Sequence, residues 1–193
     1  MRIIAGSLKG RVLAKSDHIK SLRPTTDRSR EALFNILNSS NILAQQGFSL
    51  KKSKILDLCC GTGAVAFEAL SWGASSAVLI DNNKIHLDLA KQNAKLLGVE
   101  SQVQFFFSNV KTKLPDLAQK FDLIFIDPPY DDDYCDILLN LKNSNYLQKN
   151  QIIVVEHRHL SKPIIADFLL ELDRRRYGIS EFHFFTPKDV NQL

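Results

Sequence analysis

The chain has 193 residues, 45% hydrophobic and 24% charged, enough for one folded core of ordinary size and unlike a disordered chain. No apolar run approaches the ~18 residues of a membrane span, and Met1 to Leu13 interleaves apolar stretches with Arg2, Lys9 and Arg11 instead of reading as a signal peptide, so a soluble, cytoplasmic protein is expected. The three cysteines, adjacent Cys59 and Cys60 and distant Cys135, match neither a disulfide framework nor zinc spacing; reduced thiols and no metal are expected.

The net charge of +4 divides unevenly. Residues 1–54 carry 11 Lys/Arg against 3 Asp/Glu, and residues 55–193 carry 14 against 18. A basic front on a mildly acidic body points to a polyanion at one face, nucleic acid first, with a merely solvated surface as the plainer account. The chain divides into a basic hairpin and helix extension, residues 1–50, and one compact unit, residues 51–193.

Arg2 to Ala5 and Arg11 to Ala14 are short apolar runs around Gly6-Ser7-Leu8-Lys9-Gly10, the pattern of a β-hairpin with Lys9 and Arg11 at or beside its tip. Then comes Arg23-Pro24-Thr25-Thr26-Asp27-Arg28-Ser29-Arg30, where Thr25, Thr26 or Asp27 can cap a helix with Leu33, Ile36, Leu37 and Leu43 or Ala44 at helical spacing. Arg28 and Arg30 fall in its first turn, the wrong end of the dipole for cations. That points to an anionic partner, or to pairing with Asp27 and Glu31.

After Lys51-Lys52-Ser53-Lys54 the pattern alternates. Ile55 to Leu58, Ala77 to Ile80, Val103 to Phe107, Phe121 to Ile126 and Ile152 to Val155 read as strands. Ala64 to Trp72, about Asn83 to Leu97, Asp133 to Leu141 and Pro163 to Leu172 read as helices. In the second helix Ile85, Leu89 and Leu96 form the expected buried stripe and Gly98 the stop. Roughly Arg174 to Tyr177 and Glu181 to Thr186 are closing strands. The fold class is α/β, a doubly wound, mostly parallel sheet with an antiparallel C-terminal hairpin.

In such a sheet, ligands lie outside the carboxyl ends of the strands at the switch point. Asp57-Leu58-Cys59-Cys60-Gly61-Thr62-Gly63 ends the first strand, and its glycines let a ligand approach the backbone where a helix opens. Asp81, with Asn82 beside it, closes the second and can accept two ribose hydroxyls. This pair suits NAD as well as S-adenosylmethionine. The fourth strand runs into Asp127-Pro128-Pro129-Tyr130 and must stop there, because prolines lack an N–H and Pro128 holds Asp127 extended. Standing alone, Asp-Pro-Pro reads as a turn that starts the next helix. An acid ahead of the glycine turn suits the amino end of a methionine moiety, and a dinucleotide enzyme has no evident use for the proline loop.

Together these motifs resemble the class I S-adenosylmethionine-dependent methyltransferases, in which [Asn/Asp]-Pro-Pro-aromatic ends strand four and acts on an exocyclic or amide nitrogen. KGR at Lys9 to Arg11, RPTTDRSREALFNIL at Arg23 to Leu37, EALSWGA at Glu68 to Ala74 and RRYG at Arg175 to Gly178 resemble the RsmD family over essentially the whole chain. The resemblance implies methylation of a guanine N2 in 16S small-subunit rRNA. It implies cofactor binding by Asp57, Cys59, Gly61, Gly63, Asp81, Asn82 and Asn109, and catalysis by Asp127, Pro128 and Tyr130. RNA contacts would come from Lys9, Arg11, Arg23, Arg28, Arg30 and Pro129, with the hairpin and the Arg-Pro-Thr-Thr segment closing over the pocket.

There are two departures. Cys59 to Gly63 stands where the family usually has Phe-Ala-Gly-Ser-Gly, and Asn109 stands where an acid commonly ends strand three near the adenine. The implied partner is 16S rRNA in a partly assembled small subunit, met by a monomer without membrane or metal. The same loop would serve an adenine N6 or a protein glutamine amide; a non-catalytic RNA-binding assembly factor and an NAD-dependent reductase are the readings of other classes. His157 and His159 are expected on the flanking surface.

Overall fold

The computed structural model describes residues 1–14, 27–128, 134–158 and 166–188. Expectations for Arg23, Thr25, Thr26, Pro129, Tyr130, Asp133, His159 and the first part of the Pro163 to Leu172 helix lie outside them. The elements are α1 (Asp27–Ser39), α2 (Asn41–Gln45), β1 (Lys54–Leu58), α3 (Ala64–Ser71), β2 (Ser76–Asp81), α4 (Lys84–Leu97), β3 (Val103–Phe107), β4 (Leu123–Ile126), α5 (Cys135–Lys142), β5 (Ile152–Arg158), β6 (Leu169–Tyr177) and β7 (Ser180–Pro187). They form one seven-stranded sheet in the order β3-β2-β1-β4-β5-β7-β6, parallel from β3 to β5 and antiparallel thereafter.

β4 and the Ile152 to Val155 part of β5 are apolar and buried, and β1 is buried from Ile55 to Leu58, as parallel strands covered by helices must be. One face packs on α1, α3 and α4 through Leu33, Phe34, Phe67, Ala90 and Ala94; the other packs on α5 through Ile137, Leu138 and Leu141. Ile3, Leu13, Leu37 and Leu43 join the first of these cores, so residues 1–14 and 27–50 share the sheet's hydrophobic interior.

The basic hairpin is reduced to a single bridge, Arg2 with Val12. The long helix after Asp27 breaks at Ser40, whose side chain caps α2 by accepting from the Leu43 N–H. In α4 the expected stripe is corrected: Ile85 and Leu96 are 62% and 52% exposed, and Leu87, Leu89, Ala90, Asn93, Ala94 and Leu97 are buried. At 3.6 residues per turn Ile85, Leu89 and Leu96 share a flank, whereas the stripe facing the sheet is built on two alanines that let the helix approach closely.

The helix expected through Leu172 is overturned from Leu169 onward. Leu169 to Tyr177 instead pair with β7 from Pro187 back to Ser180, with a register shift between Glu171 and Asp173. A short apolar run fits either period, and the long antiparallel partnership decides for strand.

Candidate active site

The strand order reverses between β1 and β4, so the switch-point crevice opens at their carboxyl ends. Register pairs Leu58 with Ile126, and the Asp127 N–H lies 3.5 Å from the Leu58 carbonyl. The glycine turn and the Asp-Pro loop therefore leave the sheet side by side. Asp127 is half-buried and Pro128 buried.

Beyond Leu58 the backbone winds through positive φ at Cys59 (64°), Gly61 (55°) and Gly63 (77°). Cys59 tolerates a conformation unfavourable for a side-chain-bearing residue, a cost the sequence pattern did not announce. Gly63 has a second constraint. A Cβ there would lie 2.5 Å from Phe67 Cε2 and 2.8 Å from Leu79 Cδ2, so the turn needs glycine for space as well as for φ. Gly63 is also the N-cap of α3 and brings no side-chain cap, and of the first-turn N–H groups that of Ala66 is engaged by Asp57.

Two carboxylates flank this turn in different electrostatic states. Asp81 is engaged on both oxygens: Oδ2 accepts from the Gly61 N–H at 2.9 Å, and Oδ1 accepts from the Asn83 N–H at 2.8 Å and lies 3.3 Å from His86 Nδ1. It thus braces the glycine turn, a role not foreseen, and Oδ2 retains a lone pair. Asp57 is 2% exposed, and its Oδ2 has no hydrogen-bond partner among the described residues. Burial pushes its carboxyl up to about 8, with the Ala66 N–H at the start of α3 pulling down and the charge of Asp81 adding upward. Burial likewise raises the Cys60 thiol, keeping it an unreactive core thiol; no cysteine forms a disulfide.

Asn82 is exposed at the end of β2. Asn109, also exposed, turns back on itself, its Oδ1 accepting from the Lys111 N–H at 3.1 Å. That leaves the amide nitrogen as its donor toward a ligand. Ser108 N–H bonds the Asp81 carbonyl, so this loop borders the same crevice.

The basic residues do not converge as expected. Gly6 to Gly10 sit against Ser71, the C-terminal end of α3: Ser7 N–H bonds the Ser71 carbonyl at 2.8 Å, and Ser71 Oγ donates to the Ala5 carbonyl. A Cβ on Gly6 would fall 1.9 Å from the Ser71 oxygen. Because α3 runs back antiparallel to β1, Lys9 and Arg11 lie at the opposite end of the sheet from Gly61, with Arg11 Nη1 3.4 Å from the Leu96 carbonyl near the end of α4. The hairpin tip does not close over the pocket.

Arg30 is corrected as well. It is fully buried, with Nη2 donating to the Arg2 carbonyl at 2.6 Å and to Asp27 Oδ1 at 3.0 Å, and Nε 3.5 Å from Glu68 Oε2. Glu68 in turn accepts from the Ile4 and Ala5 N–H groups and Trp72 Nε1. Arg30 thus anchors the N-terminal segment and is not a surface cation. Arg28 is exposed.

The segment that does reach the crevice is Leu13-Ala14. Ala14 N–H donates to Asn93 Oδ1 at 2.7 Å, and Asn93 Nδ2 donates to the Thr62 carbonyl at 3.1 Å within the glycine turn. Asn93 was missed, although a lone amide on the stripe of Ala90, Ala94 and Leu97 was its signal: a polar side chain on a buried face needs designated partners. His157 is likewise buried and not on the flanking surface.

A family model described as Conserved hypothetical protein 95 matches residues 1–186. A chain named uncharacterized methylase from Rickettsia prowazekii is 31% identical, covering 81% of this chain and 84% of the relative. A chain named ribosomal RNA small subunit methyltransferase D from Escherichia coli K12 is 35% identical over 81% and 74%. Among solved structures, a putative methyltransferase from Escherichia coli superposes with a TM-score of 0.78 at 27% identity, over 97% of this chain and 98% of that one.

Proposed function

The chain belongs to the RsmD family of class I methyltransferases, and from this premise we propose that it methylates the exocyclic N2 of a guanine in 16S rRNA, using S-adenosylmethionine. The observation that carries the reading is the shared exit of Asp127-Pro128 and the Cys59 to Gly63 turn at the β1/β4 switch point, with the unpartnered Asp57 Oδ2 beneath it.

The residues fit the cofactor. An enclosed carboxyl lacking a partner on one oxygen suits the methionine ammonium, and the uncapped first turn of α3 suits its carboxylate. The lone pair left on Asp81 Oδ2 suits a ribose hydroxyl, and Asn109 Nδ2 suits an adenine acceptor. When bound, the cofactor supplies an electrophilic methyl on a sulfonium.

The chain's own contribution is to make a poor nucleophile reactive. The guanine N2 lone pair is delocalised into the ring. The Asp127 carboxylate and the Pro128 carbonyl accept its two hydrogens and favour the pyramidal geometry for attack. Accepting a methyl from the bound cofactor would leave positive charge on the nitrogen. The same two acceptors stabilise it, each preorganised group being worth about 3 kcal/mol or more. The proton then leaves to water or to Asp127. Tyr130, two residues on in the sequence, is assigned the stacking contact with the flipped base, worth roughly 1–3 kcal/mol.

The relatives named for small-subunit rRNA methylation support the substrate. Arg28, exposed on α1, contacts the RNA, and the family resemblance gives Arg23 and Pro129 the same role; Lys9 and Arg11, at the opposite end of the sheet from the pocket, reach only an extended RNA such as one in a partly assembled subunit bound by a monomer. The test is to incubate small subunits from cells lacking the gene with the protein and S-adenosylmethionine, and to map rRNA nucleosides by mass spectrometry. New N2-methylguanosine in 16S rRNA is expected. N6-methyladenosine, or methyl label only in protein, would transfer the chemistry to another nitrogen, and stabilisation by NAD but not by S-adenosylmethionine would overturn the cofactor.

A further inference from the structure

On the α5 face of the sheet, β5 outruns β4. The last β4 pairing is Ile126 with Val155, so Glu156 to Arg158 pair only with β7. Register sets Val155 opposite His183 and His157 opposite Glu181, which brings His157 and His183 together as diagonal neighbours on one face. Their Nε2 atoms are 2.7 Å apart, and Glu181 Oε2 lies 3.8 Å from the first and 3.9 Å from the second. Both imidazoles are 2% exposed and the carboxylate 11%.

The geometry points to a binding site for a divalent transition-metal ion such as Zn²⁺ or Co²⁺, ligated by His157 Nε2, His183 Nε2 and Glu181 Oε2, with the remaining coordination position open. The sequence reading, built on cysteine spacing, had expected no metal; these three ligands come from two strands and share no motif spacing. Two imidazoles and a carboxylate are a donor set that such ions prefer over Mg²⁺ or Ca²⁺.

A tetrahedral ion with bonds of ~2.0–2.1 Å places its ligand atoms about 3.3 Å apart. The two nitrogens need to part by several tenths of an ångström and the carboxylate to close by a similar amount, changes that side-chain rotation supplies. The outer contacts are those of a metal ligand. His183 Nδ1 lies 2.9 Å from Glu171 Oε1, so Nδ1–H donates to the carboxylate and the Nε2 lone pair points at the cluster. His157 Nε2–H then donates to that lone pair; on binding, the ion replaces this hydrogen, which moves to Nδ1 of the same ring.

Aromatic rings close the surroundings: Phe185 stacks on His183 at 5.8 Å, and Tyr134 meets His157 edge-on at 5.9 Å. Tyr134 also donates to the Glu156 carbonyl and is the N-cap of α5. A bound ion would clip the protruding tips of β5 and β7 together and fix the ring against which α5 begins. The inference is independent of the methyl-transfer reading.

The test is titration of the intact, chelator-treated protein with Co²⁺, followed by visible d–d absorption and calorimetry. One ion per chain is expected, with bands typical of nitrogen and oxygen ligands. Affinity should fall 10–100-fold in Glu171→Gln, which leaves all three ligands in place, and further in Glu181→Gln. Both variants should keep the parent's circular dichroism. No uptake by the intact chain, a thiolate charge-transfer band assigning the ion to cysteine, or unchanged affinity in Glu181→Gln would each overturn the site.

Discussion

Arg30 and Glu68 meet in the interior with Nε and Oε2 3.5 Å apart and their side chains 0% and 1% exposed, tying α1 to α3. Between them they also hold the Arg2 carbonyl and the Ile4 and Ala5 N–H groups, so the start of the N-terminal arm is fastened to this pair. Arg30→Ala leaves Glu68 charged and buried without its counter-ion, and is expected to cost about 3 kcal/mol or more in chemical denaturation. A loss below about 1 kcal/mol would show that the backbone donors satisfy Glu68 alone.

Arg28, two residues earlier, is exposed and is the residue of this turn proposed to contact RNA. Arg28→Ala should leave the denaturation midpoint unchanged and lower the slope of log K against log salt for rRNA binding by about 1. An unaltered slope would remove Arg28 from the interface.

Asp57 makes stability depend on pH. Its unfolded value is the ordinary 3.8 and its folded value about 8, so between those limits the native state holds a proton that the unfolded chain releases. Unfolding free energy of the cofactor-free protein therefore falls as pH rises from about 4 to 8. Asp57→Asn, neutral throughout, should flatten that part of the profile; an identical slope in the variant would assign it to another group.

Gly63→Ala forces a methyl onto Phe67 and Leu79 at a φ of 77°. The expected loss is about 2–5 kcal/mol, from overpacking and left-handed strain combined. Weakened stabilisation by S-adenosylmethionine should accompany it, as the turn is displaced. Full stability would mean the neighbouring rings yield freely.

Asp127→Ala removes one of the two acceptors assigned to the target amine. Methyl transfer should drop at least ~100-fold, while the melting-temperature increase produced by S-adenosylmethionine stays, because Asp127 follows β4 and the cofactor groups lie at the carboxyl ends of β1 to β3. Turnover near that of the parent would refute its role.

Strand β1, its glycine turn and the Asp-Pro stop of β4 were legible because each is written in adjacent residues: a run of apolar side chains, a backbone only glycine tolerates, a ring without an N–H. The alternation that fixes the doubly wound sheet is local in the same sense. Residues 169–172 were misassigned because Phe168-Leu169-Leu170 fits two periods, and only pairing with β7 chooses between them. Arg30 and Arg28 are indistinguishable in sequence, yet one is core and one is surface, since the difference lies in Glu68 on another helix.

By itself, then, the sequence determined the family, the fold class and the two loops that meet at the switch point, for those are properties of neighbouring residues. The tertiary structure alone decided which charges are free, where the basic hairpin rests, that Asn93 ties the N-terminal arm to the glycine turn, and that His157, Glu181 and His183 converge. The exposure, protonation and ligating power of a side chain are set by partners that approach only when the chain folds.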